Sequence, residues 1–445
     1  MIDEQRNPRW LAVDILVKVS KGAYSNIELK NVIAESKLSQ LDINLLTEIV
    51  YGVIQRKLTL EYYLSPFIQN KKVQDWVYQL LLSAEFQMIY LDRVPTRAIF
   101  NESIEIAKTK GHNGIRAFVT GVLHMMERKG FPKLDAIEDP KEFRIIKYSV
   151  APWIIQQLDA QLGENKANQI LASINQPARQ TARINTQKIT KAEAIQALND
   201  QGYKASVSKV AEDGIVVANV NVARSQLFKN GSLTVQDESA MLVAETMQLK
   251  PGMTVLDACA APGGKSTHIA QRLGKNDHIL ALDLHSKKVA LIRSNAKRMG
   301  FANQIDAKVL DARKIGPIVK DDYFDRVLVD APCSGIRLIR RKPEIRYEKA
   351  LNDSENLHKI QLEILDAVAA KVKNNGIITY STCTILKQEN ENTITEFLKL
   401  HPEFNLIQTQ TQKQLKSLRK TPYLNIYPDD FESDGFFIAC LQKRA

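Results

Sequence analysis

The chain has 445 residues, of which 44% are hydrophobic and 25% are charged, a globular composition that excludes a disordered or fibrous protein. At roughly 150 residues per domain, this length suggests about three domains. Lys and Arg number 61 against 50 Asp and Glu, and the net charge of +11 favours a polyanionic partner such as a nucleic acid. Because neither a membrane-spanning apolar run nor a secretory signal stands out, we expect a cytoplasmic protein without a membrane partner.

Up to about Gly130, apolar residues recur at helical spacing. Asn7-Pro8 is typical of a helix start, and the segment 95–111 (PTRAIFNESIEIAKTKG) of a helix that ends at Gly111. We interpret these apolar stripes as core packing. The pattern predicts an all-α domain over residues 1–140.

The pattern changes after this domain. Helical runs alternate with short segments rich in β-branched residues, such as TARINT (181–186) and GIVVANV (214–220), which predicts a small linking α/β subdomain over residues 141–249. Over residues 250–445, apolar strands alternate with amphipathic helices, which is typical of a doubly wound, Rossmann-like parallel sheet. The fold class is therefore multidomain, all-α followed by α/β.

Four successive strands of this last region end in a carboxylate: Asp257, Asp283, Asp311 and Asp330. A single Asp at a strand end is more often a turn or cap residue. Four in phase are harder to explain in that way, because open α/β sheets bind ligands at the carboxyl ends of their strands. The sequence predicts a ligand site at that edge.

The first of these strands runs into the small-residue turn CAAPGGK (259–265), which allows a ligand to approach the backbone closely. The turn lacks the G-x-G-x-x-G spacing that seats a pyrophosphate, so a dinucleotide-dependent oxidoreductase is the weakest reading. A ligand without phosphates fits better, and S-adenosylmethionine is the obvious candidate. Asp283 would then accept hydrogen bonds from ribose hydroxyls.

Two cysteines, Cys333 and Cys383, follow the strand that ends at Asp330 and the strand after it. A lone Cys is usually a small buried hydrophobe, but two at neighbouring strand ends beside a carboxylate indicate thiol chemistry. Methylation of cytosine C5 requires a thiolate that adds to C6, a carboxyl group near N3 and a methyl donor, and a second thiol can assist release. No C-x-x-C pair occurs, so we expect no metal.

The motifs LDACAAPGGK, DAPCSG and STCT, in this order, closely resemble the RNA cytosine-5 methyltransferases of the Nol1/Nop2/Sun class. The segments VPTRAIFNESIEIAK and FVTGVL resemble the NusB-like domain of one branch, the bacterial ribosomal small-subunit methyltransferase B (Sun/Fmu) family. The resemblance implies a monomer that uses S-adenosyl-L-methionine to methylate 16S rRNA, free or early in assembly, at cytosine 967 in the family's rRNA naming.

The resemblance also implies residue roles. Cys383 is the nucleophile that adds to C6, Cys333 helps to release the product, and Asp330 contacts N3 and lies near the methyl-sulfonium group. Asp283 binds the ribose and Asp311 the adenine, while the linking subdomain contributes to the RNA groove. The residues that wrap the donor are Cys259, Ala260, Ala261, Pro262, Gly263, Gly264 and Lys265.

The chain departs from the family pattern at Ile336, Arg337 and Leu338, where Thr-Gly-Val is usual, and at Thr120 and His124 of the NusB-like domain. The densest basic run follows at once, opposed only by Glu344: Arg337, Arg340, Arg341, Lys342 and Arg346. A solvated face is the ordinary explanation of such a run. Beside a catalytic loop we favour contacts with RNA phosphates, above all for Arg340, Arg341 and Lys342. Tyr347 is a base-stacking or a core residue.

Two other functions stay open. A non-catalytic, RNA-binding ribosome-assembly factor would retain a degenerate methyltransferase fold, but the intact Cys383, Cys333 and Asp330 argue against degeneration. Cytosine-5 methylation of tRNA would use the same chemistry, and only the NusB-like domain argues against it.

Overall fold

The structure, a computed structural model, describes residues 6–69, 71–218, 221–413, 415 and 420–445. The chain forms two compact units. The helical unit comprises Met1–Asn175 together with Ile339–Lys349, and the catalytic unit comprises Gln176–Leu338 and Ala350–Ala445. Among the described residues, no helix combines the length and the apolar character that crossing a lipid bilayer requires.

The helical unit contains ten helices before Asn175 and one short helix from its later segment, counted over the described residues. In chain order these are α1 (Pro8–Ser20), α2 (Ser25–Glu35), α3 (Gln40–Gln55), α4 (Lys57–Ile68), α5 (Asp75–Tyr90), α6 (Thr96–Lys110), α7 (Asn113–Lys129), α8 (Pro140–Tyr148), α9 (Pro152–Leu162), α10 (Glu164–Ser173) and the later helix Ile345–Glu348. Residues 141–175, placed with the linking subdomain in the sequence analysis, pack with the helical unit.

The predicted helix boundaries in this unit have clear local causes. The Asn7 side-chain oxygen accepts the backbone N–H groups of Arg9 and Trp10 at 2.9 and 3.0 Å, which satisfies two of the free donors at the start of α1. Gly111 ends α6 as predicted. Helix α2 buries only Ser25 and Leu29 and so carries almost no apolar stripe.

The remaining helices belong to the catalytic unit. They are α11 (Lys191–Asp200), α12 (Gln226–Lys229), α13 (Glu238–Thr246), α14 (Gly264–Arg272), α15 (Ser286–Met299), α17 (Leu351–Ala369) and α18 (Glu391–Leu400). The label α16 denotes the short helix Ile345–Glu348 of the helical unit. The strands are β1 (Gln180–Ile184), β2 (Lys204–Val207), β3 (Gly214–Ala218), β4 (Leu233–Val235), β5 (Val255–Asp257), β6 (Ile279–Asp283), β7 (Ile305–Val309), β8 (Phe324–Asp330), β9 (Val372–Thr382), β10 (Phe404–Ile407), β11 (Leu424–Ile426) and β12 (Phe436–Lys443).

The linking subdomain is a four-stranded antiparallel sheet in the order β2-β3-β1-β4. The predicted strand GIVVANV is present up to Ala218, and its last two residues lie outside the described part of the chain. Arg183 of β1 is fully buried, and its guanidinium donates to the Gly264 carbonyl at 3.2 Å and to Thr267 Oγ1 at 2.8 Å. The sheet is therefore hydrogen-bonded to the first turn of α14.

The larger sheet has the order β10-β12-β9-β8-β5-β6-β7, and β11 pairs with β12. The strands from β9 to β7 are parallel, whereas β10, β11 and β12 pair antiparallel. The predicted Rossmann-like fold is confirmed. Because parallel strands end at the same edge, the four predicted carboxylates lie along one side of this sheet.

Candidate active site

The register of two neighbouring strands brings the two predicted cysteines together. Asp330 at the end of β8 pairs with Ser381 near the end of β9, so the chain beyond each strand starts from the same level. The Sγ atoms of Cys333 and Cys383 lie 2.9 Å apart, and the Cys383 backbone N–H donates to Cys333 Sγ at 3.2 Å. Both side chains are half-buried, which leaves the pair accessible at the carboxyl edge of the sheet.

The Asp330 carboxylate beside them is held by two donors. Lys265 Nζ lies 2.7 Å from Oδ2, and Ser381 Oγ donates to Oδ1 at 2.8 Å. The Lys265 ammonium also lies 5.2 Å from the centre of the Phe436 ring. The sequence predicted Lys265 only as part of the donor-binding turn. It did not predict the ion pair between Lys265 and Asp330.

Hydrogen bonds on both sides of Cys333 fix the loop that carries it. The Ser334 backbone N–H donates to Glu389 Oε2 at 2.7 Å, and Gln361 Nε2 donates to the Pro332 carbonyl at 2.9 Å. The hydrogen bond with Cys383 and the loss of hydration together raise the pKa of the Cys333 thiol well above its ordinary value. Cys333 therefore carries its proton at neutral pH while the two sulfur atoms are in contact.

The turn 259–265 is built to leave room. Gly263 has a φ of +97°, and a Cβ at this position would lie 3.1 Å from Ile292 Cα, so the chain requires glycine here. A Cβ at Gly264 would meet nothing within 4 Å. The space in front of the first turn of α14 is therefore open to a ligand.

Asp257, at the end of β5, lies buried beneath this turn. Its Oδ2 accepts a hydrogen bond from Ser266 Oγ at 2.6 Å, while its Oδ1 has no hydrogen-bond partner among the described residues. Burial raises the pKa of Asp257 to about 7. The sequence marked Asp257 only as a strand end, and no pattern along the chain could show that this carboxyl group is enclosed.

Three family models match the chain. Residues 244–442 match the family model of the 16S rRNA methyltransferase RsmB/F, residues 6–128 that of the NusB family, and residues 151–223 that of the RsmF/B-like ferredoxin-like domain. A Bacillus subtilis (strain 168) protein named "Probable ribosomal RNA small subunit methyltransferase B" is 41% identical over 441 residues, 98% of each chain. The chain belongs to the ribosomal RNA small subunit methyltransferase B family.

Other relatives of this methyltransferase family extend the comparison. A ribosomal RNA small subunit methyltransferase B of Yersinia pestis bv. Antiqua (strain Angola) is 29% identical over 92% of each chain. The crystal structure of PH0851 superposes with a TM-score of 0.83 over 100% of this chain and 99% of that one, at 24% identity, which shows that the fold is shared. A methyltransferase homologue from Pyrococcus horikoshii covers 69% of this chain with a TM-score of 0.58 and 25% identity.

The next two carboxylates of this family member lie beside exposed apolar side chains. Asp283 Oδ1 accepts the His285 backbone N–H at 3.0 Å, and hydrogen bonds from Arg313 lower the pKa of Asp311. Leu284 is 56% exposed and Val309 is 53% exposed, so both present apolar surface near these carboxylates. The sequence did not predict this apolar surface, although the position of Leu284 directly after a strand-end carboxylate was a usable signal.

The basic run is only in part what the sequence predicted. Arg346 is completely buried in the helical unit, and its guanidinium donates to the carbonyls of Gln55 at 2.9 Å and Ile174 at 2.8 Å. A buried guanidinium cannot reach a phosphate, so the predicted RNA contact of Arg346 is wrong. Glu344, also buried, accepts from the Ser25 hydroxyl and backbone N–H. Burial lowers the pKa of Arg346 to about 10.

Tyr347 is half-buried and packs against the core of the same unit, and its hydroxyl lies 2.8 Å from Ser149 Oγ and donates to the Ile54 carbonyl at 3.0 Å. These contacts favour the core alternative, and base stacking by the ring stays a prediction. Arg340, Arg341 and Lys342 are half-buried, and Arg340 Nε donates to the Ser173 carbonyl at 3.1 Å. Their phosphate contacts stay a prediction. The side chain of Arg337 lies outside the described part of the chain.

Proposed function

We propose that the protein methylates C5 of one cytosine in 16S rRNA with S-adenosyl-L-methionine as donor, through a covalent bond between Cys383 and C6. The observation that carries this proposal is the contact of two thiols, 2.9 Å apart, beside the Asp330 carboxylate at the ligand edge of the sheet. Membership of the ribosomal RNA small subunit methyltransferase B family supports the RNA substrate.

Each of these side chains has a step to perform. The Cys383 thiolate attacks C6 and forms the S–C6 bond, while the Asp330 carboxyl group gives a proton to N3, which receives the electron pair displaced from the ring. C5 then behaves as an enamine carbon and forms the new C–C bond to the methyl group that the donor would supply, and the bond between this methyl group and the donor sulfur breaks. In the second stage the C5 proton passes to water, its electron pair restores the C5–C6 double bond, the S–C6 bond breaks with its electron pair on sulfur, and the N3 proton returns to Asp330. Cys333, in contact with the leaving sulfur, assists this stage.

The residues around the turn 259–265 fit the donor. S-Adenosyl-L-methionine supplies an electrophilic methyl group when bound. Asp283 would accept hydrogen bonds from its ribose, Asp311 would contact its adenine, and the exposed Leu284 and Val309 would pack against the ring. The open space at Gly264 admits the rest of the molecule, and no phosphate has to be accommodated. Lys265 and Ser381 keep Asp330 in place.

The catalytic unit has a cavity of about 1010 Å³ between the four-stranded sheet and residues 429–432. Its lining includes Lys209, Arg179 paired with Glu432, the ring of Phe431, and the carboxylates Glu238 and Asp429. The ring of Phe431 suits stacking on a base of single-stranded RNA, whereas the charges of this lining do not favour phosphates. C5 and C6 are reached from the face of the ring, so we expect the target base to be flipped out of its stack. We expect the enzyme to act as a monomer.

The first test is to incubate the protein with methyl-labelled S-adenosyl-L-methionine and unmethylated 16S rRNA, free or in assembled subunits, and to map the label by bisulfite sequencing. Label at one cytosine of free 16S rRNA is the expected result. Label on tRNA alone would keep the chemistry and overturn the substrate. The absence of label on every RNA would favour the assembly-factor alternative.

A second experiment addresses the two thiols. We expect Cys333→Ala to accumulate protein covalently attached to RNA, seen as a shifted band on a denaturing gel, because the adduct forms but is not released. The band should disappear when Cys383 is also replaced. A Cys333→Ala protein that binds RNA and shows no band would remove the assigned role of Cys333.

A further inference from the structure

Glu389 is a carboxylate without an assigned role, and it lies completely buried next to the two cysteines. Its Oε1 accepts a hydrogen bond from Ser354 Oγ at 2.9 Å. Its Oε2 accepts from the Ser334 backbone N–H at 2.7 Å and from Gln361 Nε2 at 3.2 Å. Because both oxygens of Glu389 accept hydrogen bonds, these surroundings suit an ionised carboxylate.

These hydrogen bonds reach both sides of Cys333. Ser334 follows Cys333 directly, and Gln361, which donates to Glu389, also donates to the Pro332 carbonyl on the other side. The residues that flank the thiol are therefore fixed by one buried carboxylate and its helix α17 partner. The direction in which Cys333 Sγ points follows from these two contacts, because the loop here has no strand pairing of its own.

Glu389 and Asn390 also hold the chain on both sides of Cys383. The Tyr380 hydroxyl of β9 donates to the Glu389 carbonyl at 2.6 Å, and Asn390 Nδ2 donates to the Thr384 carbonyl at 3.2 Å. Ser334 Oγ and Thr384 Oγ1, each one residue beyond its cysteine, lie 2.9 Å apart. Residues 389–390 thus bind the loop of Cys333 and the strand of Cys383 at once.

An apolar side chain of similar size would not serve. Methionine at this position would leave the Ser334 N–H and Gln361 Nε2 without the oxygen that accepts from both, and two buried hydrogen bonds would be lost. Buried groups that lose their partner are costly, and the loop would move to relieve the cost. A misplacement of about 1 Å at a reacting group lowers a rate by as much as about 10²-fold.

We propose that Glu389 is a positioning residue for product release: its carboxylate holds the Pro332–Ser334 loop so that Cys333 Sγ stays in contact with Cys383 Sγ. The inference rests on the proposed cytosine-5 chemistry. Glu389 does not touch the RNA or the donor; it acts through Cys333. Its loss should therefore affect the second stage of the reaction more than the first.

The test uses Glu389→Met in the full-length chain, with Glu391→Met as the matched control, because Glu391 is a half-buried carboxylate of α18 bonded to Asn425. We expect Glu389→Met to lower kcat by about 10²-fold, to leave the KM for S-adenosyl-L-methionine unchanged and to accumulate the Cys383-dependent RNA adduct on a denaturing gel. Glu391→Met should match the parent protein. Glu389→Gln, which keeps an oxygen for the Ser334 N–H and Gln361 Nε2 and can turn its amide N–H toward Ser354 Oγ, should accumulate less adduct than Glu389→Met.

The outcomes separate this inference from the proposed function. If Cys333→Ala accumulates the adduct and a folded Glu389→Met does not, the positioning role is wrong while the proposed function stands. A Glu389→Met protein with low activity, no adduct and an unchanged melting temperature would also overturn the inference, because the first stage would then be affected. If neither variant accumulates an adduct, the release role of Cys333 in the proposed function fails first.

Discussion

The loop Asp330–Gly335 and the nearby segment Ile339–Lys349 look equally functional in sequence. The structure places their side chains in different environments. In the loop, polar groups converge and the Cys333 and Cys383 thiols stay half-buried and accessible. In the segment, Glu344 and Arg346 are buried and bonded within the helical unit. A high density of charge along a sequence therefore does not indicate a binding surface by itself.

The physical difference lies in what fixes each segment. The loop follows β8, which pairs in parallel register with β9. The loop therefore begins at the carboxyl edge of the sheet. The segment has no period, and Arg346 donates to carbonyls at the C-terminal ends of α3, α8 and α10: Gln55, Tyr148 and Ile174. Those carbonyls have no partner inside their own helices, and a cation is the group that such ends favour.

The strongest way to break this comparison is Arg346→Met. Methionine fills much of the same volume but has no donor, so several buried carbonyls lose their partner and we expect the helical unit to lose at least about 1–3 kcal/mol of stability, the cost of one unsatisfied buried group. Hydrogen exchange of the α3, α8 and α10 amides reports the opening of this unit separately from the rest of the chain. Arg116→Met, on the exposed face of α7, is the control and should change stability by less than about 0.5 kcal/mol. Equal effects of the two variants would mean that Arg346 is not structural.

A second buried ionisable group of the helical unit, Glu85, extends the comparison because, unlike Arg346, it has no hydrogen-bond partner among the described residues. Both carboxyl oxygens of Glu85 are without a hydrogen-bond partner among the described residues, and burial raises the pKa of this group to about 9. The folded protein therefore holds Glu85 protonated, while the unfolded chain ionises it above its ordinary pKa of about 4.5. The stability supplied by the protonated form is complete below the ordinary value and is lost as the pH rises to about 9.

We accordingly expect Glu85→Gln to match the parent protein at acidic pH and to exceed it by an increasing margin up to about pH 9, on the order of 1–3 kcal/mol. Melting temperatures measured across this pH range give the result. Glu138→Gln, at an exposed position of the same unit, is the control substitution. A margin for Glu85→Gln that does not grow with pH would contradict the protonated state.

The smallest effect concerns the part of the basic segment that stays half-buried. We expect Arg340→Ala combined with Arg341→Ala to weaken binding to a 16S rRNA fragment and to reduce the slope of log K against log salt by about 1–2. The same double substitution at the exposed Lys30 and Lys37 of the helical unit is the comparison. An unchanged slope for the arginine pair would leave the whole segment structural.

The strand-end carboxylates Asp283 and Asp330 and the two cysteines were predictable from the sequence because each follows a buried strand, and parallel strands share one edge. The contacts that orient them were not. Lys265 and Asp330 are 65 residues apart, and Glu389 and Ser334 are 55 residues apart, so no local pattern joins them. Helix α2 gives no clear periodic pattern in the sequence, because it buries only two residues.

The segment Ile339–Lys349 also bears on how such a protein can change over evolution. A chain that lost everything before Gln176 would still carry this peptide, with the buried Ile345 and Arg346 deprived of the helices that surround them. The N-terminal domain is thus not a detachable module at the gene level. Its loss or gain has to be accompanied by a rewritten peptide immediately after the Cys333 loop, which couples the history of the N-terminal domain to that of this loop.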